Sequence, residues 1–70
     1  MKREAVDSSM IANVGYDKFE KILEVEFHSG KVYQYYGVDS KICKGLIEAD
    51  SKGSYMNTFI IDQYRYAEIP

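Results

Sequence analysis

An alternating segment followed by a short turn constrains this chain more than any other feature of its sequence. Residues 21–27 carry Leu, Val and Phe at every second position, with Glu in between. This period of two predicts a half-buried strand. Ser29 and Gly30 mark a turn, and residues 31–36, which carry one Val and three Tyr, predict the returning strand of a hairpin.

The length of that turn decides which sheet face carries Tyr33 and Tyr35. A two-residue loop would place both tyrosines on the same face as the glutamates. A three-residue loop, residues 28–30, puts its glycine in the left-handed position of a bulged turn. Tyr33 then lies opposite Val25, and Tyr35 lies opposite Leu23. We favour this register because it gathers the apolar residues on one face: Leu23, Val25, Phe27, Tyr33 and Tyr35.

The rest of the chain predicts one more strand before the hairpin and two helices after it. Residues 10–16 indicate the earlier strand, and Asp39 or Ser40 is a suitable N-cap for a helix that ends near Asp50. The apolar arc of this helix is predicted to contain Ile42, Cys43, Leu46, Ile47 and Ala49. The inner side of a shorter second helix is predicted to contain Tyr55, Met56, Phe59 and Ile60.

Residues 64–69 return to alternation and predict a fourth strand. The expected fold class is α+β, a small antiparallel β-meander of three to four strands with two short helices packed on one face. Residues 1–70 are expected to form a single domain, because 70 residues leave no room for a second core. We expect Phe27, Tyr33, Tyr35 and Phe59 to form its aromatic core.

Composition narrows the classes of function. The net charge of −2 argues against a general polyanion binder. The chain has one cysteine, and its apolar runs are too short for a membrane span or a signal peptide. We therefore expect a cytoplasmic protein with no internal disulfide and no membrane contact.

An ordered set of residues spans nearly the whole chain and centres on a Tyr-x-Tyr, formed by Tyr33 and Tyr35. Its other members are Ser8, Ser9, Gly15, Tyr16, Asp17, Leu23, Val25, Phe27, Gly30, Val38, Leu46, Ala49, Ser51, Gly53, Tyr55, Met56, Asn57, Ile60, Tyr64 and Tyr66. This set resembles the KTSC domain, a family named for a C-terminal domain of some lysyl-tRNA synthetases and also found as free-standing small bacterial proteins. Through the synthetase association, the resemblance implies an RNA-binding or translation-linked role.

Catalysis finds little support among the residues. Cys43 and His28 are the sole Cys and His, but Cys43 lies on an apolar helix face and His28 at a solvated turn. Glu24 and Glu26 share one strand face, which is expected to be solvated. Metal sites need three or four ligands, and no such cluster stands out. We expect no enzyme activity, no metal and no cofactor.

A phosphate-binding loop is a weak alternative. Residues 51–54 read Ser-Lys-Gly-Ser before a helix, and free amides at a helix N-terminus attract anions. The full phosphate-loop signature is absent. Helix capping by Ser51 or Ser54 explains the same residues.

Nucleic-acid binding is the most specific functional hypothesis. Basic residues adjoin aromatic ones in two places, and bases stack on such rings in single-strand binders. The candidate RNA-binding residues are Lys31, Tyr36, Lys52, Tyr64, Arg65 and Tyr66. The candidate ligand is a tRNA-like RNA.

The alternative is a protein–protein interaction or assembly module without nucleic-acid contact. Val32, Tyr36 and Ile22 decorate the otherwise polar sheet face and could contact a protein partner or a second copy of the chain. Exposed edge strands could do the same through backbone pairing. The sequence therefore predicts a small binding module and leaves both kinds of partner open.

Overall fold

The computed structural model describes all 70 residues and contains one antiparallel sheet with its strands in chain order. The strands are β1 (Glu4–Ala5), β2 (Ile11–Asp17), β3 (Ile22–Phe27), β4 (Val32–Tyr36) and β5 (Tyr66–Ile69). The helices are α1 (Ser40–Glu48) and α2 (Lys52–Tyr55), and a π-helical turn (Met56–Ile60) continues α2. The α+β class with helices on one face is confirmed. The sheet has five strands instead of three to four.

The hairpin register is the one that the apolar pattern favours. Tyr33 lies opposite Val25, and Tyr35 lies opposite Leu23. Gly30 adopts φ of +96°, and its N–H donates to the carbonyl of Phe27 at 2.9 Å. The bulged three-residue turn is therefore confirmed, and it turns both tyrosines toward the helical layer.

The core lies between that sheet face and the helices. Tyr35 is only 4% exposed, which agrees with its expected place in the aromatic core. The buried apolar side chains are Ile11, Val14, Leu23, Val25, Tyr35, Val38, Cys43, Leu46, Met56 and Ile60. Phe27 and Tyr33 are half-buried and pack against this cluster.

Helix α1 is capped as its sequence predicts. The carboxylate of Asp39 accepts a hydrogen bond from the backbone N–H of Lys41 at 3.0 Å, and this bond lowers the pKa of Asp39. Cys43 and Leu46 are buried. The expected burial of Ile47 is wrong, because it is 45% exposed. Ile47 lies one position beyond Leu46, about 100° around the helix, and this flank is only partly covered.

The π-helical turn explains a second departure from the predicted core. Ile61 N–H donates to the carbonyl of Met56 at 2.7 Å, five residues back. A wider turn keeps Met56 and Ile60 on the buried side but rotates Phe59 away from it. Phe59 is 48% exposed, with its ring centre 4.7 Å from that of Tyr55. Its expected place in the core is therefore wrong.

An N-terminal segment that the sequence pattern did not predict adds β1 to the sheet. Glu4 lies opposite Val14 of β2. A Cβ on Gly15 would lie 2.7 Å from the carbonyl oxygen of Lys2, so glycine allows this segment to approach β2 closely. The segment brings Arg3 over the sheet face that points away from the helices, which we call the polar face.

Candidate binding groove

An open groove lies on the helical side of the sheet, beside the end of the π-helical turn. Its volume is about 230 Å³. Its lining residues are Phe27, Tyr33, Tyr35, Ile61, Asp62 and Tyr66, and we call it the aromatic groove. Four elements position them: β3, β4, β5 and the segment that follows the π-helical turn.

The rings in the groove contact one another at an angle. The ring centre of Tyr33 lies 5.8 Å from that of Tyr66 and 6.4 Å from that of Tyr35. Tyr35 and Tyr66 are 6.0 Å apart, and Phe27 packs edge-on against Tyr33 at 5.8 Å. Tilted and edge-on pairs are favourable aromatic arrangements. Because Tyr66 is still 58% exposed, this cluster presents an aromatic surface to solvent.

The electrostatic character of the groove is set by Asp62 and the tyrosines. Asp62 is exposed at the rim and adopts φ of +67°, a left-handed conformation that is uncommon outside glycine. Burial raises the pKa of Tyr35 to about 12, and Tyr33, Tyr66 and Asp62 add to the effect. No basic side chain lines the groove.

The structure groups half of the candidate RNA-binding residues. Tyr64, Arg65 and Tyr66 line one shallow depression next to the aromatic groove, together with Asp62. Arg65 and Tyr66 are exposed, whereas Tyr64 is half-buried and packs against the core.

The other three candidates lie elsewhere. Lys31 is exposed beside the β3–β4 turn and does not line the groove. The ammonium of Lys52 donates to the carbonyl of Ala49 at 3.0 Å, near the end of α1. Tyr36 is half-buried and donates to Gln34 Oε1 at 3.1 Å on the polar face. The six candidates therefore do not form one continuous surface.

The polar face carries a network of paired side chains. Glu24 accepts from Arg3 Nη1 at 2.6 Å and from Gln34 Nε2 at 2.7 Å. Glu26 accepts from Asn13 Nδ2 at 2.7 Å. Glu24 is only 8% exposed, so the expectation that both glutamates are solvated is wrong for this one. The N-terminal segment covers it.

The remaining candidates for chemistry are dispersed. Cys43 is buried in α1, and burial raises the pKa of its thiol. His28 lies at the β3–β4 turn, where its Nε2 is 2.8 Å from the carbonyl of Ser8. Ser51 caps α2 by accepting from the N–H of Ser54 at 3.3 Å. No group of three or more His, Cys, Asp or Glu side chains could hold a metal ion.

Sequence reasoning missed two groove residues, Ile61 and Asp62. They follow the π-helical turn, where the helical pattern ends and no motif marks them. The one available signal was the carboxylate of Asp62, two residues before the aromatic-basic run that begins at Tyr64. Its position in the sequence does not reveal which rings the carboxylate approaches.

Comparison with known proteins gives consistent similarities. A family model for the KTSC domain matches residues 7–64. The chain is 46% identical over 70 residues to an uncharacterized protein of Stutzerimonas stutzeri, covering 99% of both chains. It is 32% identical over 63 residues to a lysine–tRNA ligase of Nostoc punctiforme, covering 90% of this chain but 11% of the ligase.

A solved structure is similar over almost the full length. The crystal structure of a KTSC domain protein from Yersinia pestis superimposes with a TM-score of 0.96 at 32% identity. The match covers 99% of this chain and 97% of that one. Separately, no helix here has both the length and the apolar content that a membrane crossing requires.

Proposed function

This chain belongs to the KTSC domain family, and we propose that it is a non-catalytic binding module whose aromatic groove receives part of a protein partner. The observation that carries the proposal is the exposed aromatic cluster around Tyr66, which is 58% exposed beside half-buried Tyr33 and Phe27. Aromatic side chains are enriched at protein interfaces because they bury much apolar area at low entropic cost.

The environments of the reactive side chains support a non-catalytic role. A nucleophilic cysteine needs a lowered pKa, whereas burial raises that of Cys43. Glu24 is held by Arg3 and Gln34, and Glu26 by Asn13, so both carboxylates already have partners.

Charge favours a protein partner over RNA at the groove. Contacts with phosphates supply most of the affinity of non-specific nucleic-acid binders, and they need Lys or Arg beside the stacking rings. The groove is lined by Asp62 and by no basic side chain, and the chain has a net charge of −2. An RNA backbone that enters the groove would therefore meet the carboxylate of Asp62 and no lining cation.

RNA binding is the second candidate, and one local feature favours it. Arg65 and Tyr66 are both exposed and line the depression beside the groove, as a stacking and phosphate-binding pair requires. Some relatives are lysine–tRNA ligases, in which the matching segment is 11% of the protein. An RNA ligand would use this depression as well as Tyr66.

The two candidates can be separated with the full chain. Peptides displayed on phage are selected against the immobilised protein, and the enriched peptides are titrated into wild type, Tyr66→Ser and Tyr36→Ser. The proposal predicts that Tyr66→Ser weakens binding while Tyr36→Ser, on the polar face, leaves it unchanged. Peptides that are indifferent to Tyr66→Ser would contradict it.

A labelled single-stranded RNA is titrated in parallel at about 50 mM and about 200 mM salt. RNA binding would fall steeply with salt and would weaken in Arg65→Ala. That result, together with no groove-dependent peptide, would favour the second candidate and reject the first.

A further inference from the structure

We propose that the aromatic groove takes an arginine side chain of a protein partner, with its guanidinium against the tyrosine rings and paired with Asp62. This inference rests on the proposed function and specifies the chemistry of the occupant. It follows from the ring arrangement, the charge at the rim and the size of the groove.

The ring arrangement suits a cation. Tyr33, Tyr35 and Tyr66 form a triangle with sides of 5.8 to 6.4 Å between ring centres. A ring attracts a cation that lies over its face, within roughly 6 Å of its centre. Tyr35 is only 4% exposed, so the ring of Tyr66, which is 58% exposed and has the half-buried ring of Tyr33 beside it, provides most of the aromatic surface that a cation can reach.

The carboxylates at the rim of the groove also favour a cation. The carboxylate of Asp62 makes no hydrogen bond or ion pair within the chain. Glu68 lies opposite Tyr33 in the register of β4 and β5, so a second carboxylate is on the same sheet face. An aromatic surface with unpaired carboxylates at its edge complements a positive charge.

Arginine fits this surface better than lysine. Its planar guanidinium stacks on aromatic faces and can offer two parallel N–H donors to one carboxylate. It is also more weakly hydrated than an ammonium, so less solvation is lost on entering the groove.

The size of the groove favours a single side chain. Its volume of about 230 Å³ is below the roughly 300–1,000 Å³ of sites that enclose a small-molecule ligand. Tyr66, which lines it, is 58% exposed, so the backbone of the partner can remain outside in solvent.

The test uses peptides that are identical except at one position, which is arginine, citrulline, lysine or norleucine. Citrulline keeps the shape of arginine without its charge. Binding to the full chain is followed by the amide chemical shifts of the groove residues. We expect arginine to bind tightest and citrulline to bind at least about fivefold more weakly.

Substitutions test whether the charge of Asp62, and not a loss of folding, determines the affinity for the arginine peptide. Asp62→Asn should weaken the arginine peptide by about fivefold and leave the citrulline peptide unchanged. Asp50→Asn removes the same net charge outside the groove and should change neither. Tyr66→Leu should weaken arginine more than norleucine. Thermal melts of each variant confirm that it is folded.

The outcomes distinguish this inference from the function on which it rests. Norleucine or citrulline binding as tightly as arginine would overturn the arginine inference but leave the groove as a protein-binding site. Equal affinities of wild type and Asp62→Asn for the arginine peptide would do the same. If neither these peptides nor the phage-selected ones shift groove residues, both the inference and the proposed function are rejected. Single-stranded RNA that shifts the same residues would also overturn the inference.

Discussion

Replacing Gly15 by alanine tests whether the N-terminal segment lies against the polar face of the sheet. The new Cβ would lie 2.7 Å from the carbonyl oxygen of Lys2 and 3.0 Å from Cγ of Arg3. Because one of these atoms belongs to the backbone, the segment has to move away as a unit. We expect this movement to break the 2.6 Å contact between Arg3 and Glu24.

The expected change in the free energy of unfolding is the sum of two opposing effects. Losing a hydrogen bond to a charged group costs about 1.5–3 kcal/mol, and Glu24 is only 8% exposed. Alanine offsets part of this, since it restricts the unfolded chain and favours a strand over glycine by about 0.5–1 kcal/mol. The expected net loss for Gly15→Ala is about 1–2 kcal/mol.

Urea denaturation followed by circular dichroism measures this loss. A domain of this length loses about 4–8 °C of Tm for each kcal/mol, so thermal melts provide a second reading. Lys2→Ala is the matched control in the same segment. It retains the backbone and Arg3 and should change the free energy of unfolding by less than about 0.5 kcal/mol.

A double-mutant cycle with Arg3→Ala tests the reasoning itself. Both single substitutions remove the same contact with Glu24, so the double variant should lose little more than the larger single loss. Independent sites instead add within about 0.3–0.5 kcal/mol. Additive losses for Gly15→Ala and Arg3→Ala would refute the proposed path from Gly15 to the ion pair.

Three further predictions concern the core. The folded state raises the pKa of Tyr35 from 10.0 to about 12 and binds this proton more tightly than the unfolded chain does. Stability is therefore unaffected below about pH 10 and falls by about 1–3 kcal/mol between about pH 10 and 12, and urea titrations should show a shallower fall for Tyr35→Phe. In Gly45→Ala the new Cβ would lie 2.7 Å from Cζ of Tyr55, so denaturation should show a loss despite the better helix propensity of alanine, and Tyr55→Leu in the same chain should reduce that loss. Cys43 is buried and its thiol pKa is raised, so a disulfide reagent should modify it much more slowly in the folded chain than in urea, and equal rates would contradict its burial.

The hairpin could be predicted because its information is local. The alternation of apolar and polar residues in β3 and the position of Gly30 together specify a register. A slip by one residue would expose the apolar face. The cap of α1 is equally local, since Asp39 needs only the backbone N–H of Lys41. Such features depend on residues that are close together in the sequence, so one sequence is enough to predict them.

The features that escaped prediction depend on distant neighbours. Strand β1 has two residues, too few for a pattern, and its place depends on the space left by Gly15. Burial of Glu24 depends in turn on Arg3, which is 21 positions away. Phe59 follows a helical pattern that the π-helical turn interrupts.

The lining of the aromatic groove depends partly on local sequence and partly on residues that are distant in the sequence. The orientation of Tyr33 and Tyr35 follows from the register. Ile61 and Asp62 reach the groove only because the π-helical turn ends beside the sheet. The sequence could therefore predict which tyrosines face the helices, but it could not predict the open space next to them or the carboxylate at its rim.

The ring-proton chemical shifts of the tyrosines, followed as a phage-selected peptide is added, test most directly whether the aromatic groove is the binding site. We expect the ring signals of Tyr66 and Tyr33 to move in proportion to occupancy, while those of Tyr36 on the polar face stay fixed. Movement of Tyr36 with Tyr66 and Tyr33 unchanged would place the binding surface on the opposite side of the sheet and contradict this account.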